Sequence, residues 1–97
     1  SMSQFWPDEQ KLWKRYRLTL DDYDELLHEQ NGHCAICGVR FSAEGASPVV
    51  DHCHDGGHVR GLLCNNCNTG LGLFADSPDI LKQAIKYLTR GTEHDSG

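Results

Sequence analysis

The sequence predicts a small α+β fold: a ββα unit stapled by paired cysteines and flanked by helices. Three observations lead there. Two C-x-x-C pairs, Cys34/Cys37 and Cys64/Cys67, enclose 26 residues. Between them, Val49-Val50, the turn signal Asp55-Gly56-Gly57 and the run from His58 to Leu63 read as strand, turn and strand, and Asn68 to Phe74 follows as a helix. Apolar residues at helical spacing occur on both sides of this unit.

A chain of 97 residues makes one domain and buries only a modest core, so it often needs a cross-link. The expected division is an N-terminal basic and aromatic segment at 1–18, a core domain at 19–91 and a disordered tail at 92–97. Residues 8 to 17 read as a short helix after Pro7, with Trp13 and Tyr16 on one face. The plainer role for these aromatics is packing on the core. The sharper one is a basic–aromatic arm with Lys11, Lys14, Arg15 and Arg17, laid along a nucleic-acid backbone.

Thr19 opens a second helix, with Asp22 at the reciprocal position of a capping box and Leu18 and Tyr23 as a staple. Leu20, Tyr23, Leu26 and Leu27 form its apolar face, and Gly32 suits the left-handed residue that ends it. Val39 to Phe41 reads as a short strand, and Ser42 to Ser47 as a polar loop closed by Pro48. After the ββα unit, Ser77 caps a last helix that has Pro78 in its first turn. Its apolar residues are Ile80, Leu81, Ala84, Ile85 and Leu88, and Gly91 is its expected end.

The chain has 9 Lys+Arg against 14 Asp+Glu, a formal charge of −5. That balance counts against a binder held to nucleic acid by net charge alone, although local charge can differ from net charge. No apolar run is long enough to span a membrane, and no signal peptide is visible.

Five cysteines could form disulfides. Two C-x-x-C pairs with an odd Cys53 suit a reducing compartment and a metal site better. Zinc fits this spacing best, with iron as the alternative thiolate metal. Four cysteines fill a tetrahedral site and leave no open position for water, so the metal is structural. Burial as a small apolar residue is the plainer role for Cys53.

A second chemistry lies between the knuckles. Asp51 offers a hard anionic oxygen and Asn68 a neutral carbonyl oxygen, a pair suited to Mg²⁺, with Mn²⁺ as a substitute. His52, if it stays off the metal, can act as general base. In an ideal strand Asp51 and His52 point to opposite faces, so the backbone must bulge for both to serve one site. Arg60 can fork onto a phosphate, or pair with one of the many acids. His54 can hold a phosphate or a metal-bound water, or can simply be exposed.

The motifs C-A-I-C-G at 34–38, V-D-H-C-H at 50–54 and V-R-G-L-L-C-N-N-C-N-T-G-L-G at 59–72 resemble the HNH, or ββα-metal, nuclease superfamily. Within it they are most similar to the recombination endonuclease VII family of phage and bacterial proteins. The likeness covers roughly residues 19 to 90. It implies zinc on Cys34, Cys37, Cys64 and Cys67, Mg²⁺ on Asp51 and Asn68, and water activation by His52. It also implies cleavage of DNA phosphodiesters in the cytoplasm of a bacterial or phage-infected cell.

Two positions depart from the superfamily's pattern. Asn68 stands where its final histidine is usual, as this family allows. No asparagine lies between His52 and Cys64, so another group must orient His52. Nicking or double-strand cleavage is the expected activity for so short a chain, with branched DNA as a further substrate. The oligomeric state is open, a homodimer included. The rival reading is a non-catalytic zinc module that binds protein or nucleic acid; Asp51-His52 with Asn68 is the feature such a module does not need.

Overall fold

The structure, a computed structural model, describes residues 7–55 and 57–96, with side chains as far as Gly91. Gly56 of the predicted turn, residues 1–6 of the basic segment and Gly97 of the tail lie outside that description. The element order is α1 (Glu9–Tyr16), α2 (Leu20–Glu29), β1 (Val49–His52), β2 (Val59–Leu63), α3 (Asn65–Leu73) and α4 (Pro78–Ser96). The predicted strand, turn, strand, helix order is therefore present.

Each helix starts where its sequence provides a cap. Asp8 accepts from the backbone N–H groups of Gln10 and Lys11 at the start of α1. Thr19 and Asp22 form the expected capping box on α2, at 3.0 and 3.1 Å. The Ser77 hydroxyl accepts from Ile80 N–H at 3.1 Å at the start of α4. At α3 the cap is Cys64, whose sulfur accepts from Cys67 N–H at 3.4 Å. The second knuckle is thus the first turn of α3, which begins at Asn65 rather than at the predicted Asn68.

Helix α2 ends in a Schellman motif. Gly32 N–H donates to Leu27 and Asn31 N–H to His28. Asn31 and Gly32 both take positive φ, so the left-handed conformation expected of Gly32 begins one residue earlier.

Strands β1 and β2 pair antiparallel, with Val49 opposite Leu63, Val50 opposite Leu62 and Asp51 opposite Gly61. The next pair is His52 with Val59, so Arg60 is an extra residue on β2 and forms a bulge. The Gln30 side chain covers the other edge of β2. Its carboxamide donates to Leu62 O at 2.9 Å, accepts from Leu62 N–H at 2.9 Å and donates to His33 O at 2.8 Å. Gly61 leaves room for this contact, since a Cβ there would meet Gln30 Oε1 at 3.0 Å.

The core gathers Leu12 from α1, Tyr23 and Leu27 from α2, Leu62 and Leu63 from β2, Phe41 from the loop between α2 and β1, and the cysteines Cys34 and Cys64. Full burial of a side chain such as Leu27 or Leu62 contributes about 1.5–3 kcal/mol. The small number of such residues explains why the fold relies on its cysteines. Burial also pushes the Tyr23 hydroxyl pKa up to about 12.

Three expectations need correction. Val39 to Phe41 is not a strand; only an isolated bridge joins His33 to Arg40, and Phe41 enters the core from irregular backbone. Helix α4 does not end at Gly91 but continues to Ser96. A glycine lowers helix propensity by about 1 kcal/mol without forbidding the helix. Trp13 does not pack in the core. It is 48% exposed, under the guanidinium of Arg17, and the core residue of α1 is Leu12. The apolar residues Ile80, Ile85 and Leu88 of α4 are exposed too. Among the described residues no helix is long and apolar enough to cross a membrane.

Candidate active site and metal centre

The four sulfurs of Cys34, Cys37, Cys64 and Cys67 all lie within 4.8 Å of one another, and those of Cys37 and Cys64 are 3.7 Å apart. A tetrahedron with metal–sulfur bonds of about 2.3 Å places its corners about 3.8 Å apart, so the cluster fits a Zn(Cys)₄ site. All five cysteines are free, which sets aside the disulfide reading. Burial opposes ionisation of Cys34, but N–H groups of Cys64, Ile36 and Cys37 outweigh it and lower the thiol to about 6. Burial and the neighbouring sulfurs push Cys67 the other way, to about 12. Sulfurs this crowded carry full negative charge together only around a shared cation. Cys53 is half-buried and lies outside the cluster.

The staple joins the loop after α2 to the start of α3 and so fixes the hairpin between them. On that hairpin Asp51 is buried to 8% exposure. Arg60 holds its carboxylate with two parallel bonds, Nε to Oδ2 at 2.6 Å and Nη2 to Oδ1 at 2.9 Å. Nη2 also donates to Asp76 Oδ2 at 3.3 Å. These bonds to Asp51, with the further pull of Asp76, raise the guanidinium pKa against its partial burial. The acid partner foreseen as one role for Arg60 is thus the residue expected to hold the metal.

His52 is exposed at the bulge. Its ring lies 5.5 Å from that of Tyr16 and 5.7 Å from that of His54. Residue His54 is itself exposed, yet its Nε2 stands 3.6 Å from Asp76 Oδ2. A continuous chain of contacts therefore runs Tyr16, His52, His54, Asp76, Arg60, Asp51. Asn68 is half-buried on α3, which packs on both strands. Its backbone N–H donates to Cys64 O at 3.0 Å, and its carboxamide has no hydrogen-bond partner among the described residues.

Residues 9–90 match the family described as recombination endonuclease VII. The chain belongs to the recombination endonuclease VII family.

Two phage proteins are similar to most of this chain. The gene 59 protein of Mycobacterium phage L5 is 40% identical over 81 residues, which cover 82% of this chain and 49% of that protein. The gene 59 protein of Mycobacterium phage D29 is 37% identical over 83 residues, 84% of this chain and 50% of its own. The chain thus spans about half the length of these relatives. Among solved structures, the ββα-Me type II restriction endonuclease Hpy99I superposes with a TM-score of 0.61 at 32% identity. The match covers 92% of this chain and 46% of that one. It agrees with the zinc-stapled ββα-metal fold expected of the family.

Two site residues of this family member escape a reading of the sequence. Asp76 follows Ala75 in a second Schellman turn, where Asp76 N–H donates to Leu71 O at 2.8 Å and Ala75 N–H to Gly72 O at 2.9 Å. Both take positive φ, of 54° and 57°, which is costly for an alanine. The turn brings the Asp76 carboxylate back to Arg60 and His54. The only sequence signal is an acid just before the Ser77 cap. Tyr16 is the other; its aromatic character suggested burial, and nothing local linked it to His52.

Proposed function

We propose that this chain is a metal-dependent DNA endonuclease domain in which His52 is the general base. The observation that carries the reading is the buried Asp51 carboxylate with a cationic group already seated on both its oxygens, one residue from an exposed imidazole. A guanidinium there stands in for a metal cation, and a carboxylate with a carboxamide is a hard oxygen donor set of the kind Mg²⁺ or Mn²⁺ takes. A divalent cation held by Asp51 and Asn68 would supply charge stabilisation at the scissile phosphate and the leaving 3′ oxygen.

His52 takes the proton of the attacking water at an imidazole nitrogen, since no described residue holds its ring by a hydrogen bond. Tyr16 and His54 flank the ring and limit its orientations, the role left open by the missing asparagine. Arg60 has a third guanidinium nitrogen, Nη1, that donates to no described residue and is available to a phosphate oxygen. The products carry 5′-phosphate and 3′-hydroxyl ends. The substrate is DNA, by nicking or double-strand cleavage, with branched DNA included. The phage relatives support action in the cytoplasm of an infected cell.

A plasmid-nicking assay with Mg²⁺ tests the reading. Conversion of supercoiled to open-circular DNA that depends on Mg²⁺ and on His52 supports it. Zinc-loaded protein that leaves supercoiled, linear and branched DNA intact with both Mg²⁺ and Mn²⁺ favours a non-catalytic zinc module instead.

A further inference from the structure

Metal binding at Asp51 meets an obstacle that the chain itself supplies. Both carboxylate oxygens are taken by the Arg60 fork, at 2.6 and 2.9 Å, in a setting where the Asp51 side chain is only 11% exposed. A bidentate guanidinium–carboxylate pair is among the stronger polar contacts in proteins. A cation arriving at either oxygen must displace at least one of these N–H donors. The displaced guanidinium has somewhere to go, because the Nη2 that bonds Asp51 already donates to Asp76 as well, at 3.3 Å. Asp76 is fixed by its turn rather than by Arg60, through the Asp76 N–H bond to Leu71. The bulge that makes Arg60 the extra residue on β2 sets its side chain beside both acids.

We propose that Arg60 is an internal gate on the metal site: its guanidinium occupies Asp51 until a divalent cation displaces it, and Asp76 is the berth that retains it beside the site. The proposal rests on the reading of Asp51 as a metal ligand. Arg60 and the cation are alternate occupants of one carboxylate, so binding of the one opposes the other. The guanidinium, once moved to Asp76, remains close enough to meet the phosphate whose cleavage the cation assists. His54 touches the same Asp76 oxygen, 3.6 Å from its Nε2, and so shares the berth.

The test is Mn²⁺ affinity of the zinc-loaded chain without DNA, read by electron paramagnetic resonance of free Mn²⁺. Asp51→Asn identifies the site, since Mn²⁺ binding that belongs to Asp51 is lost in it. Arg60→Gln should bind Mn²⁺ more tightly than the wild type by a factor within about 5–150, the usual range of coupling between two ligands. Arg60→Lys keeps the charge and loses the fork, so it too should bind more tightly than the wild type, by a smaller factor. Asp76→Asn should weaken Mn²⁺ binding in the wild-type background and leave it unchanged in the Arg60→Gln background.

A measurement on the wild type guards against variants that fail to fold. The Arg60 Nε proton, held by Asp51, should exchange slowly in nuclear magnetic resonance spectra and lose that protection as Mg²⁺ is added. Asp51-dependent Mn²⁺ binding that is the same in the wild type and Arg60→Gln overturns the gate and leaves the nuclease reading standing. Equal affinity in Arg60→Lys and the wild type reduces Arg60 to a charge effect and also overturns it. A loss with Asp76→Asn that persists in the Arg60→Gln background overturns the berth. Mn²⁺ binding that ignores Asp51→Asn overturns both the gate and the metal-ligand reading beneath it.

Discussion

The ring of Tyr16, the last residue of α1, lies 5.5 Å from the ring of His52 and is tilted 55° to it. The contact ties the N-terminal helix to the proposed general base. Tyr16 is half-buried and packed against the core, so it has the rigidity to limit an exposed imidazole.

Tyr16→Ala should therefore lower the Mg²⁺-saturated cleavage rate by about tenfold, short of the roughly 10²-fold cost of a misplacement of about 1 Å. The ring, not the hydroxyl, makes the contact. Tyr16→Phe should cleave within about twofold of the wild type. Single-turnover rates of the two variants, with zinc content as a control, check this. Equal losses in both would assign the effect to the hydroxyl.

Zinc removal should unfold the hairpin and the start of α3 together. Structural zinc in small domains contributes about 10–16 kcal/mol, as much as or more than the net stability of a typical domain, about 5–15 kcal/mol. Cys34 joins the core on one side of the staple and Cys64 on the other. Metal analysis of the purified chain should find one zinc ion, and a strong chelator should abolish the cooperative thermal transition. A chain that keeps its transition after quantitative zinc loss would show that the core stands without the staple.

Gln30 should carry an unusual share of stability for a side chain at a helix end. Its carboxamide satisfies both backbone groups of Leu62, 32 residues away, on the edge of β2 that β1 does not cover. Gln30→Ala should cost about 1–3 kcal/mol, because Leu62 N–H loses its partner where water has little access, while Leu62 O keeps only the longer bond from Ala35 N–H at 3.2 Å. Gln30→Glu should be nearly as costly despite its shape, since a carboxylate accepts from Leu62 N–H but repels the carbonyls of Leu62 and His33. Melting temperatures of the zinc-loaded variants measure both. A glutamate variant as stable as the wild type would mean that the donated bonds contribute nothing.

What the sequence revealed was what is local in the chain. The cysteine pairs, the Thr19/Asp22 box and the Ser77 cap each depend on residues a few positions apart. Their fold follows from spacing. The proposed site was legible only in its first half. Asp51, His52 and Asn68 stand in recognisable motifs, whereas the bulge that isolates Arg60 arises from the pairing of two strands. Asp76 reaches Arg60 across 16 residues by a turn whose left-handed residues, Ala75 and Asp76, are not the glycines that announce one. Gly91 misled for the converse reason: a glycine in a helix is tolerated, and its position alone does not end one.

The decisive experiment concerns His52. Its imidazole is exposed and takes no hydrogen bond from a described residue, and Asp51 beside it is buried under Arg60. Truncation of His52 therefore removes no part of the core and none of the zinc ligands, so His52→Ala should fold, bind zinc and bind DNA. A general base contributes about 10²–10⁴-fold to rate, and cleavage should fall within that range at saturating Mg²⁺. Wild-type cleavage should also decline toward acid pH, because an imidazole that must accept a proton no longer can once protonated. That decline should disappear from the residual activity of His52→Ala. Asp51→Ala should differ in kind: it removes a proposed metal ligand, so raising Mg²⁺ should recover part of its rate, and no Mg²⁺ concentration should recover that of His52→Ala. Rates across pH and Mg²⁺ concentration for the three proteins separate the roles. A His52→Ala protein that cleaves at the wild-type rate with Mg²⁺ would remove His52 from the mechanism and return the search for a base to His54, the other imidazole in the contact chain.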